Sequence, residues 1–311
     1  MEALDSATDP RLAAFCARRG PQVFHSIAYR SDIWKPDPFD VESIHAGARA
    51  VFGRLVDLAA RPDDGPAFGR ILLLKGEAGS GKTHLMRAFR NHLHRLHRGY
   101  FGYMQMTSAT NDYGRYILNN LIDSLEQPYF EPEGPTTALM RLSTELAESP
   151  RSASLQQLDV LRHDELDTPN LARLVDALAD QVVMDARFNR IDMDLIRALL
   201  YLQRDDPRIR GPVLKYLRCE DLSAHDRERL GAIEPRRYDG APQVVIEKLG
   251  QLMWALESAP LVVCVDQLED IFDLDAAATR FRRAVASLCE VASRLPSAVV
   301  GIARLEDYYV Q

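Results

Sequence analysis

Eight consecutive residues, Gly76-Glu77-Ala78-Gly79-Ser80-Gly81-Lys82-Thr83, satisfy the pattern G-x-x-x-x-G-K-[ST] in full. Each position has a physical task. Glycines tolerate positive φ and let main-chain N–H groups approach an anion closely. Lys82 supplies a mobile point charge for β- and γ-phosphates, and Thr83 a hydroxyl oxygen for Mg²⁺. His84, the next residue, is counted with this loop as a nucleotide contact.

A second group of residues could complete that chemistry. Leu261-Val262-Val263-Cys264-Val265 is an apolar run ending in Asp266, a carboxylate able to hold Mg²⁺ directly or through water. The other reading of Asp266 is an acid capping a turn. Hydrolysis needs a group to orient or deprotonate water, and Glu269 is the first candidate, with Asp270 second. Gln267 stands directly after Asp266, and the two acids beyond it could also simply solvate a helix start. Arg304 closes a later apolar segment and could stabilise charge on a transferred phosphoryl group, or be an ordinary surface arginine.

These side chains need elements to position them. Ile71-Leu72-Leu73-Leu74 reads as a strand covered on both faces, and Leu85, Met86, Phe89 and Leu93 mark a helix after the glycine-rich turn, running to about Arg98. Residues 100–106 read as a second strand and 112–125 as a helix. Residues 261–265 and 297–303 give a third and a fourth strand, with a helix over 279–294 between them. This is βαβ grammar, so the expected fold is α/β with a parallel sheet flanked by helices. Upstream, Ile44, Ala48, Val51, Leu55 and Leu58 define a helical face, and residues 34–40, rich in proline, read as extended.

The grammar breaks between residues 131 and 240. Helical faces appear over 169–184, where Asp167 or Thr168 can cap, and over 191–202 and 212–217, without a convincing strand. A stretch of roughly 110 residues is too long for a structureless loop, so it reads as an inserted helical subdomain. The expected organisation is a flank at 1–65, a first half of the core at 66–130, the insertion at 131–240 and a second half at 241–311.

Composition narrows the function classes. The 311 residues are 46% hydrophobic and 27% charged, with a formal net charge of −7, which supports a packed core and gives nucleic-acid binding no support. The four cysteines form no C-x-x-C pair, which argues against a zinc ribbon or a disulfide framework. With no signal peptide and no membrane-length apolar run, a cytoplasmic location is expected. His92, His94 and His97 read as a solvated basic helix end, and Arg236, Arg237, Arg280, Arg282 and Arg283 as surface charge, the last three on a helix that could face another subunit.

Taken together, the glycine-rich loop, Val265-Asp266-Gln267-Leu268-Glu269-Asp270 and Ile302-Ala303-Arg304-Leu305-Glu306-Asp307 resemble the STAND/AAA+ branch of P-loop ATPases. Residues 34–39 look like the proline-aromatic segment that precedes the loop in that branch, and Tyr216-Leu217-Arg218 with Leu222 and Leu230-Gly231 resembles ATP-binding proteins of BREX-like phage-defence systems. The resemblance implies a P-loop NTPase core using ATP and Mg²⁺, a homo-oligomer, and a protein effector encoded nearby. It also implies a fifth strand and a helical lid, so the chain is expected to be the N-terminal part of a longer protein. No NKxD-like guanine motif occurs, which favours ATP over GTP. The competing expectations are a DNA-transacting AAA+ loader and a regulatory ATP-binding module with negligible turnover.

Overall fold

Strand and helix alternate as the apolar periodicity requires. The computed structural model describes residues 30–35, 40–61, 68–129, 136–149, 155–273 and 277–305. In chain order the elements are α1 (Ala46–Ala60), β1 (Arg70–Gly76), α2 (Lys82–Arg95), β2 (Tyr100–Gln105) and α3 (Tyr113–Leu125). The short strands β3 (Pro128–Tyr129) and β4 (Thr136–Thr137) follow, then α4 (Ala138–Ala147), α5 (Leu155–His163), α6 (Thr168–Val183), α7 (Met193–Tyr201), α8 (Pro207–Leu217) and α9 (Ala224–Arg229). The chain returns through α10 (Ala241–Glu257), β5 (Leu261–Asp266), α11 (Ala277–Arg294) and β6 (Ala298–Leu305).

The main sheet has four parallel strands in the order β1-β6-β5-β2. Its register sets Lys75 beside Arg304, Gly76 beside Leu305, and Gln105 beside Asp266. The loops that leave the carboxyl ends of all four strands therefore share one edge, where ligands bind in open α/β sheets.

Alternation along β2, β5 and β6 builds two cores, whereas β1 buries Leu72 and Leu74 on one face and leaves Ile71 and Leu73 exposed rather than covered on both faces as expected. Leu72, Leu74, Phe101, Tyr103, Val262, Cys264 and Val299 pack with Phe52 and Val56 of α1 and Leu85 and Phe89 of α2. Tyr100, Met104, Leu261, Val263, Val265 and Val300 face α3, α10 and α11. The second core does not stop at the sheet: Leu142, Leu171, Leu199 and Tyr216 belong to the same cluster. The helices of the 131–240 block pack on one another and, through α4, on α3 and α10, so their buried residues are continuous with those of the sheet. Ion pairs from Arg210 to Glu126 and from Arg218 to Asp123 tie the block further to α3.

Several local expectations are corrected. α1 begins at Ala46, after His45 in the left-handed region, and buries Phe52, Val56 and Ala59, leaving Ile44 and Leu58 exposed. The stacked rings of Phe52 and Phe89, with centroids 3.9 Å apart, fix that rotation. Trp34 is not extended but ends a 3-10 turn, Arg30–Trp34, while residues 36–39 lie outside the described residues. The turn is held by α2: Arg87 donates to Lys35 O, and the fully buried Arg90 donates to Trp34 O and Lys35 O. Burial, with Arg87 adding to it, lowers the Arg90 guanidinium to about 10. α8 starts at Pro207 under an Asp206 cap and runs through Pro212, where sequence had put its beginning. The β3–β4 hairpin sits where no strand was expected, and α2 ends at Arg95, short of Arg98. Among the described residues no helix is long and apolar enough to cross a membrane.

Candidate functional site

The loop from β1 to α2 adopts the conformation its glycines permit. Gly79 and Gly81 have φ of 74° and 86°, values that side-chain-bearing residues rarely adopt. Gly81 is the N-cap of α2 and offers no side-chain cap, so the positive end of the helix opens into the loop. Lys82 Nζ donates to Gly76 O and Glu77 O, both at 2.8 Å, which keeps the ammonium within the turn.

Asp266 closes the site from the neighbouring part of the sheet. It is 3% exposed, and its Oδ2 accepts from Thr83 Oγ1 at 2.5 Å. The sheet thus brings together Thr83 and Asp266, 183 residues apart in sequence. Asp266 Oδ1 accepts from Gln267 N at 3.0 Å, and Gln267 has a left-handed φ of 56°. A hydroxyl and a carboxylate in contact beside a glycine-rich loop at a helix N-terminus form a hard-oxygen donor set, which fits Mg²⁺ carried on a polyphosphate.

Glu269 lies on a 3-10 turn, Leu268–Asp273, and its Oε2 accepts from Leu305 N at 3.3 Å. That contact joins the Asp266 loop to the end of β6, where Arg304 stands beside Lys75 of β1 and donates from Nε to Leu305 O. Glu269 and Arg304 are therefore neighbours at the carboxyl edge of the sheet. Asp270 is exposed. His84 faces the flank: its Nε2 is 3.3 Å from Asp40 Oδ1, and Asp40 also accepts both ends of the Arg49 fork. Burial alone would raise the Asp40 carboxyl, but Arg49 and His84 outweigh it and hold it below its usual range.

Three participants were not visible in sequence. Tyr103 of β2 donates its hydroxyl to Asp266 Oδ2 at 3.1 Å, and burial first, then the Asp266 charge, pushes that phenol well up. His45 Nε2 lies 3.1 Å from Ser80 O, setting the flank against the loop, and Asp40 anchors it through His84. Period-two alternation puts Tyr103 on one face of its strand, but only the β2–β5 register shows that this face carries Asp266. No local signal links residues 40 and 45 to a loop about 35 positions further on.

The basic groups separate under inspection. His94 is 1% exposed and stacks on Tyr129, so it is not part of a solvated helix end. Burial, helped by Arg90, Arg141 and His97, lowers its pKa to about 3. Arg236 is mostly buried, pairs with Asp192 and lies over the Tyr216 ring, which removes it from the surface. Arg237 pairs with Asp221 in solvent, and Arg282 and Arg283 are exposed on α11.

The AAA ATPase domain family model matches residues 48–300, and the chain belongs to that family. It is a P-loop AAA-type ATPase domain, which at a general level means ATP binding and hydrolysis. No curated protein and no solved structure matches it.

Proposed function

We propose that the chain binds Mg-ATP between the Gly76–Thr83 loop and Asp266 and hydrolyses it slowly, as a switch that changes its assembly state. The observation that carries this reading is the contact of Thr83 Oγ1 with buried Asp266 at the mouth of a glycine-rich loop. Thr83 and Asp266 would hold magnesium, which supplies charge neutralisation on the phosphates. Lys82 exchanges its carbonyl partners for phosphate oxygens, and the first turn of α2 directs N–H groups at the same anion.

Glu269 is assigned to water. Its carboxylate accepts the proton of the attacking water as the Pγ–O bond forms, and the bridging oxygen leaves with ADP. Arg304, on the adjoining strand end, offsets charge on the transferred group. The switch role, self-assembly and an encoded protein effector rest on the resemblance of the Asp266 and Arg304 segments to the STAND/AAA+ branch, and the setting in phage defence on that of Tyr216-Leu217-Arg218, Leu222 and Leu230-Gly231 to BREX-like ATP-binding proteins. Single-turnover hydrolysis tests the core of the reading. Glu269→Gln should retain ATP and cleave it roughly 10²- to 10⁴-fold more slowly. Wild-type cleavage rates in that variant would remove Glu269 from the reaction.

A further inference from the structure

This inference rests on the magnesium-nucleotide reading above and concerns a residue with no place in the loop. Three donors converge on the Asp266 carboxylate: Thr83 Oγ1 and Tyr103 OH on Oδ2, and Gln267 N on Oδ1. Thr83 and Gln267 come with the phosphate loop and with the strand end itself. Tyr103 comes from another strand. It stands beside Cys264 in the register, two residues before the position opposite Asp266, so its phenol runs along the sheet toward the carboxyl edge.

That phenol is rigidly placed. Tyr103 is fully buried, and its main chain exchanges hydrogen bonds with Ser124 of α3, N to Oγ at 3.0 Å and Oγ to O at 3.2 Å. A threonine hydroxyl alone can serve either oxygen of a carboxylate that rotates about its Cβ–Cγ bond. A second hydroxyl fixed on Oδ2, with a main-chain N–H on Oδ1, selects one orientation.

We propose that Tyr103 is a positioning residue for magnesium: its hydroxyl locks the Asp266 carboxylate against Thr83 and so sets the cation affinity of the nucleotide complex without touching the nucleotide. Loss of such an outer partner commonly weakens metal binding by about 10- to 100-fold. Tyr103→Phe keeps the ring and removes only the donor. Tyr116→Phe is the matched control, since it deletes another hydroxyl at the same edge, one that donates to Gln105 O at 2.5 Å.

The full chain is titrated with Mg²⁺ at fixed fluorescent ATP analogue, and with the analogue in EDTA. Tyr103→Phe is expected to raise the Mg²⁺ midpoint roughly tenfold, leave magnesium-free binding unchanged, and differ from a Tyr116→Phe control that matches wild type. An unmoved midpoint, an equal rise in the control, or a parallel loss of magnesium-free binding would each overturn the positioning role. Wild-type protein whose analogue binding ignores Mg²⁺ would instead overturn the nucleotide reading itself.

Discussion

Gln267 occupies the position directly after Asp266 with φ of 56°, and its N–H is spent on the Asp266 carboxylate. A side chain in the left-handed region costs about 1–2 kcal/mol, most for β-branched residues, and such strain gathers at functional sites. Gln267→Val should therefore lower stability by about 1–2 kcal/mol, while Gln267→Gly is neutral or slightly stabilising. Denaturant unfolding of the two variants checks this, and equal stabilities would show that the backbone there is relaxed. The same scale separates what spacing could reveal from what it could not. Lys82, Thr83 and Asp266 were legible as candidates because their signals are local, a glycine pattern between a strand and a helix and an acid ending an apolar run, and Thr83 and Asp266 lie in contact. Tyr103 was not, because its role depends on a hydrogen bond between strands 163 residues apart.

At the scale of elements, α2 carries both the phosphate loop and a buried histidine near its end. The folded-state pKa of His94 is about 3, below the unfolded value near 6.5, so the unfolded chain binds the extra proton first. His94 thus leaves stability intact above pH 6.5 and erodes it between about pH 6.5 and 3, by up to about 1.4 kcal/mol per pH unit. His94→Phe, which can keep the stack on Tyr129, should flatten stability against pH in that window. An unchanged pH slope would mean that His94 titrates normally. Element types in the core were readable from periodicity, and β1, β2, β5 and β6 fall on the expected apolar runs. Boundaries were less so. On α1 the expected Ala48, Val51 and Leu55 do pack against the core, but Ile44 and Leu58 are exposed and the deepest positions are Phe52, Val56 and Ala59, a rotation that the Phe52–Phe89 stack fixes.

At the scale of the molecule, the inserted helical block and the sheet are joined by packing. The apolar faces of α4 to α8 are continuous with those of α3 and α10, so the helical block and the sheet share a core. Unfolding should then be a single transition in which tryptophan fluorescence and far-ultraviolet circular dichroism coincide. Two separated transitions would mark the block as an independent subdomain. α3, which follows β2, is tied to the block by ion pairs of Glu126 with Arg210 and Asp123 with Arg218.

Calorimetric titration of ATP in the presence of Mg²⁺ into wild type and Lys82→Ala tests most directly whether the loop and Asp266 grip a magnesium-bearing triphosphate. Wild type should bind one nucleotide per chain, with affinity falling in EDTA, and Lys82→Ala should show no measurable heat of binding. Equal affinity in the two proteins would place the nucleotide somewhere other than this edge of the sheet.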